Sequence, residues 1–192
     1  EAIANKGIWV AKKRYMMNVF DEEGIRFDTP KLKIMGVEAV KSSTPEVCRG
    51  KIKEAIRMIM NKSEEDLIKF VKDFKEVFMT LSPEEVAFPR SCNNVNKYID
   101  SNSIYKKGTP IHVKGALIYN HNINKHRLGM KYPLIRDGDK IKFLMLKQPN
   151  TVKDTVISFS TKIPYEFELH KYVDYDTQFE KTFTDPLRFI LD

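Results

Sequence analysis

Residues 41–78 read KSSTPEVCRGKIKEAIRMIMNKSEEDLIKFVKDFKEVF, and their spacing decides most of the fold. Ser42-Ser43-Thr44-Pro45 is a helix start, because a hydroxyl at the N-cap satisfies an orphan N–H and proline suits the first turn. Val47, Ile52, Ala55, Ile56, Ile59 and Met60 then recur at helical spacing. Asn61-Lys62 closes that helix. Ser63, with Asp66 three residues on, resembles a capping box in which Asp replaces Glu. Leu67, Phe70, Val71, Phe74, Val77 and Phe78 give a second i, i+3, i+4, i+7 face. Two amphipathic helices with a short link predict an antiparallel αα-hairpin.

Upstream, Ile8 to Phe20 reads as one strand, since Trp9, Val10, Tyr15, Met17, Val19 and Phe20 suit a pleated sheet. Asp21-Glu22-Glu23-Gly24 is a turn signal and Ile25-Arg26-Phe27 a return strand, so residues 8–28 predict a β-hairpin that Pro30 breaks. Lys33 to Val40 is a third extended segment or a passage. Downstream, Ser82-Pro83-Glu84-Glu85-Val86 predicts a short helical turn. Phe88 to Tyr98 is polar and rich in Asn and Ser. Gly108-Thr109-Pro110 opens a helix over 109–123, and Asp137-Gly138-Asp139 is a turn between it and two strands, 140–147 and 154–161. Residues 172–191 are helical in pattern. The class is α+β.

The 192 residues carry 33 Lys+Arg against 26 Asp+Glu, a formal net charge of +7. The excess is not uniform: residues 1–62 are net +5, 63–88 net −4, 89–163 net +10 and 164–192 net −4. Two basic stretches separated by acidic ones make an anionic partner plausible, with nucleic acid first. No apolar run approaches the roughly 20 residues needed to span a bilayer, and there is no secretory signal pattern. Two cysteines, Cys48 and Cys92, are too few for a disulfide scaffold or a thiolate zinc site. The four histidines show no ligand spacing. Walker, dinucleotide and Ser-His-Asp patterns are missing. Glu1-Ala2-Ile3, without an initiator Met, reads as the start of a segment from a longer chain.

Six stretches, in order, carry a resemblance: Ala11-Lys12-Lys13-Arg14-Tyr15, Pro30 to Glu38, Lys41 to Pro45, Ser91-Cys92-Asn93-Asn94-Val95-Asn96-Lys97-Tyr98, Pro110 to Asn120, and Glu180 to Leu187. With them, nearly the whole chain resembles the C-terminal part of a family B replicative DNA polymerase of the T-even-like tailed-phage and cyanophage type. The resemblance implies a palm remnant over residues 1–40, bearing a β-hairpin, and a mainly helical thumb over 41–192 with the αα-hairpin and a small β subdomain. It implies a phage-encoded nucleotidyltransferase of DNA replication, soluble in the host cytoplasm. Its partners would be primer–template DNA, the remainder of the polymerase chain, and a sliding clamp reached through a tail that this sequence does not include.

The Lys-x-Tyr element of that family maps to Lys13, Arg14 and Tyr15, with Lys12 beside it, against the primer strand near its 3′ end. A lysine there donates to the minor-groove acceptors that every correct pair presents alike, so the contact tolerates sequence but senses pair geometry. Lys12-Lys13-Arg14 also fits a solvated strand edge. Lys33, Gly36, Lys41, Ser42 and Ser43 lie where relatives grip the duplex backbone, with Gly36 permitting close approach. Ser42 and Ser43 precede a helix N-terminus that attracts phosphate, although plain capping would use the same hydroxyls. Ser91, Asn93, Asn94, Lys97 and Tyr98 suit phosphate and sugar contacts, or an Asn-rich surface loop.

The metal-holding aspartates of the family, which bind Mg2+ in the parent, belong to motifs expected upstream of residue 1. The segment alone is therefore expected to bind no cofactor and to be inactive. Tyr172-Val173-Asp174-Tyr175-Asp176-Thr177 imitates one of those motifs, but it falls after the Lys-x-Tyr element instead of before it and has Tyr between its aspartates. A stand-alone nucleic-acid-binding module with a thumb-like fold remains the alternative reading.

Overall fold

The computed structural model describes residues 1–192, apart from the side chain of Glu38. The chain divides into two compact units, one formed by Glu1–Met79 with Glu180–Asp192, the other by Thr80–Phe179. The boundary expected near residue 40 falls within the first of these.

The first unit opens with a three-stranded antiparallel meander: β1 (Ala2–Ala11), β2 (Arg14–Glu22) and β3 (Ile25–Met35), in that spatial order. The single strand expected over Ile8–Phe20 is in fact two. Ala11 pairs with Arg14 across a two-residue turn, Lys12-Lys13, in which Lys13 has φ +63°. Turns of this kind normally announce themselves by Gly or Asn, and this one carries neither. The acidic turn at Glu23-Gly24 is where the sequence puts it, with Glu22 paired to Ile25. Pro30 does not end the strand. Pairing stops at Asp21↔Arg26 and resumes at Val19↔Lys31, so Pro30 falls in a bulged gap of an edge strand, where no ladder N–H is required.

Helices α1 (Glu46–Asn61) and α2 (Glu64–Phe78) form the expected pair, joined through Lys62 and Ser63. The N-cap of α1 is Pro45 itself, with Thr44 buried before it, so the expected hydroxyl cap moves one residue and loses its side-chain bond. Ser63 caps α2 by accepting from the Asp66 N–H at 3.3 Å. The reciprocal half of a capping box is replaced: the shorter Asp66 carboxylate accepts from the Ser63 hydroxyl at 3.0 Å. Cys48, Ile52, Ala55, Ile56 and Met60 of α1 and Leu67, Phe74 and Phe78 of α2 are buried, whereas Val77 is exposed. Residues 180–192 complete this core. Phe183 meets the Phe74 ring edge-on at 4.8 Å, and Leu187 and Ile190 are buried beside it in sequence.

The second unit is built on another antiparallel sheet, β4 (Phe88–Cys92), β5 (Asp139–Met145) and β6 (Val156–Phe159). The short helix α3 (Pro83–Val86) precedes it with a full capping box from Ser82 and Glu85. Helix α4 (Ile111–Lys125) packs along β6, whose four residues are all buried. β4 lies inside the stretch read from sequence only as polar; Phe88 and Cys92 turn inward while Ser91 faces out, the alternation of a half-buried strand. The helical pattern at 172–191 resolves into α5 (Tyr175–Phe179), a π-helical turn at Glu180–Thr184, and α6 (Asp185–Leu191). The α+β class is borne out, and no helix among the described residues is long and apolar enough to cross a membrane.

Candidate nucleic-acid interface

Within the first unit the β1–β2 turn gathers most of the expected contacts. Lys12 and Lys13 are exposed at its tip, and neither makes an ion pair among the described residues. Gly36 (φ +68°) abuts the turn: a Cβ at that position would lie 2.3 Å from the Lys13 carbonyl oxygen and 3.1 Å from Arg14 Cγ. The close approach that Gly36 permits is thus to the protein's own backbone, and it fixes the turn that presents the lysines. Tyr15 sits in the middle strand, opposite Met35 on β3. Arg14 belongs to the opposite face, because neighbours on a strand alternate, and its guanidinium lies 5.2 Å from the Phe189 ring centroid of α6.

Lys33 is not free. Its ammonium meets Glu22 at 2.6 Å, and that hydrogen bond pushes Lys33 above its ordinary pKa while holding Glu22 below its own. Lys41, Ser42 and Ser43 occupy the turn that leads into α1, Ser42 exposed and the other two half-buried.

In the second unit Ser91 is the penultimate residue of β4, Asn93 and Asn94 link that strand to the next element, and Val95–Tyr98 is a 3-10 turn. Asn94 adopts φ +61°, a conformation Asn tolerates better than most residues. Backbone bonds secure the segment: Val95 N–H donates to Asp137 at 3.1 Å, and Lys106 donates from its backbone N–H to the Tyr98 carbonyl and from its ammonium to the Lys97 carbonyl, both at 2.9 Å. Ser91, Asn93, Asn94 and Lys97 are left exposed, with the Lys97 ammonium 5.6 Å from the Tyr98 ring centroid. An open groove of about 870 Å³ borders this turn, with Val95, Ile99, Asp100, His121 and Arg136 in its wall. Sequence reasoning missed it, because its lining comes from segments far apart in the chain. Lys114, on α4 of the same unit, is paired with Asp154 at 2.8 Å.

The carboxylates of the imitation motif have a local task. Asp174 accepts from the Thr177 N–H at 3.1 Å and from the Thr177 hydroxyl at 2.8 Å, which caps α5. Among the described residues no three His, Cys, Asp or Glu side chains are grouped closely enough to hold a metal ion.

The first unit thus presents a basic turn and the second a polar, lysine-bearing turn. Comparison with known proteins finds nearly the whole chain similar to a stretch of phage DNA-directed DNA polymerases. The enzyme of Enterobacteria phage T4 is 35% identical over 185 residues, and that of Escherichia phage RB69 is 37% identical over 186. Each match covers 94% of this chain and 20% of the relative, so the chain spans about one fifth of their length. The resemblance read from the sequence is borne out. No protein-family model matches the chain.

Proposed function

We propose that the chain is the part of a phage-type DNA polymerase that grips the primer–template duplex and monitors the primer 3′ end. In this reading residues 1–40 derive from the palm and residues 41–192 from the thumb. The observation that carries it is the Lys12-Lys13 turn, without an ion pair among the described residues, braced by Gly36 and adjacent to Tyr15, in a chain similar to DNA polymerases along nearly its whole length. Lys13 donates to the minor-groove edge of the terminal pair. Purine N3 and pyrimidine O2 occupy similar positions in every correct pair, and a mispair displaces them. Tyr15 hydrogen-bonds a primer phosphate through its hydroxyl. Ser42, Ser43, Ser91, Asn93, Asn94 and Lys97 meet phosphate and sugar, which hold the duplex without reading its sequence. The Mg2+ ions and the carboxylates that hold them belong to the rest of the polymerase, and no catalytic step is assigned to residues of this segment.

The test is a titration of a fluorescent primer–template duplex by anisotropy across a salt series. Binding should be indifferent to sequence and fall steeply with salt, since counterions are released from each neutralised phosphate. Lys13→Ala should weaken binding to recessed primer ends more than to blunt duplex lacking a junction. Duplex binding that is insensitive to salt, or equal loss on every substrate, contradicts the assignment of Lys13.

A further inference from the structure

Trp9 is the single tryptophan of the chain, and it is 69% exposed. Its neighbours across the sheet are Tyr15 on β2, its direct register partner, and beyond Tyr15 the exposed Met35 on β3. The adjoining row runs Gly7, Met17, Lys33. Gly7 has a specific consequence. A Cβ there would lie 2.6 Å from both Cη2 and Cζ3 of the indole, so the absence of a side chain lets the ring lie down on the strand backbone. The outer π face is then open to solvent. Lys12 and Lys13 border this strip at the turn, and the Lys31 ammonium stands 3.7 Å from the Phe27 ring centroid on β3.

We infer that Trp9 is a stacking platform for an unpaired base of a DNA strand laid across the β1–β2–β3 face. An exposed indole on a sheet face that ends at the Lys12-Lys13 turn matches a ligand that is both flat-faced and anionic. Base–aromatic stacking has that chemistry and tolerates sequence, because every base has a π face. A paired duplex buries its base faces in the stack and offers none to an indole except at its end. The inference rests on the proposed DNA-gripping role and adds to it a preference for frayed or single-stranded nucleotides beside Lys13 and Tyr15.

Because Trp9 is the only tryptophan, the intact chain reports on the site without a label. Its emission should be quenched on adding a thymidine 12-mer, and less so by a matched blunt duplex of equal length. Anisotropy with a labelled 12-mer should show Trp9→Ala binding roughly tenfold more weakly. Trp9→Phe should retain most of the affinity, and circular dichroism should be unchanged for both. If the 12-mer binds while Trp9 emission and the affinity of Trp9→Ala stay unaltered, the platform is wrong and the duplex-gripping role stands. Equal quenching by matched duplex and single strand also overturns the stacking assignment. Absence of binding to either DNA at low salt overturns both proposals together.

Discussion

Gly36 and Lys13 are locked together: both have left-handed backbones, φ +68° and +63°, and the Lys13 carbonyl oxygen occupies the space a Cβ on residue 36 would need. Gly36→Ala must therefore strain its own backbone and displace the turn. The left-handed penalty and the backbone overlap together should lower stability by about 2 kcal/mol or more, measurable by urea unfolding. Lys13→Gly is the converse. It relieves a left-handed lysine, so stability should change by less than about 1 kcal/mol, while DNA affinity falls through loss of the ammonium. If Lys13→Gly unfolds the first unit, the turn is held by the lysine side chain and not by Gly36.

The second unit should lose stability in acid through Asp154. Tyr105 Oη donates to Asp154 at 2.6 Å, Lys114 meets it at 2.8 Å, and the Thr155 N–H adds 2.7 Å. Burial by itself would raise this carboxyl, but the hydrogen bonds from Lys114, Tyr105 and Thr155 outweigh it and bring the pKa below the ordinary carboxylate value. A depressed folded pKa means stability that is fully present above the unfolded value, near 4, and is lost as pH falls through the folded one. Asp154→Asn should flatten the acid limb of a stability–pH curve. At neutral pH it should cost about 2 kcal/mol, the scale of lost hydrogen bonds to a charged group. An unchanged acid limb would assign the transition to other carboxylates.

Asp174→Ala should behave as the loss of a helix cap. About 1 kcal/mol of stability should go, while DNA affinity and the response to Mg2+ stay as they were. A variant that lost metal-dependent behaviour at unchanged stability would reinstate the Tyr172–Thr177 stretch as a metal site.

The helices were legible because their signals are local. Ser63 before an acidic turn, with Leu67, Phe74 and Phe78 at helical spacing, needs no tertiary information. The β1–β2 turn was not legible, because what stabilises a lysine in a left-handed conformation is Gly36, more than 20 positions away in the sequence. Val77 fits the apolar face of α2 by spacing and yet is 53% exposed, since the core it would join does not extend that far round the helix. For the candidate site, the sequence proposed residues but did not reveal what each of them is engaged with. Lys33 is paired with Glu22, Gly36 serves the turn, and Trp9 reads as an ordinary sheet residue until its register opposite Tyr15 is known.

These engagements differ most sharply within Lys12-Lys13-Arg14-Tyr15. Tyr15 and Arg14 are consecutive on β2 and so face opposite ways. Arg14 is engaged over Phe189, while Lys13 stands at the turn without an ion-pair partner among the described residues. Arg14→Ala and Phe189→Ala should each lower stability by roughly 0.5–1 kcal/mol, the range of an exposed cation–π contact. Their double variant should lose less than the sum of the two. At matched folded fraction, Arg14→Ala should weaken duplex binding less than Lys13→Ala, because its guanidinium is spent on α6. A strictly additive double-mutant cycle, together with a larger DNA defect for Arg14→Ala, would instead make Arg14 the principal DNA contact of the element and Phe189 a bystander.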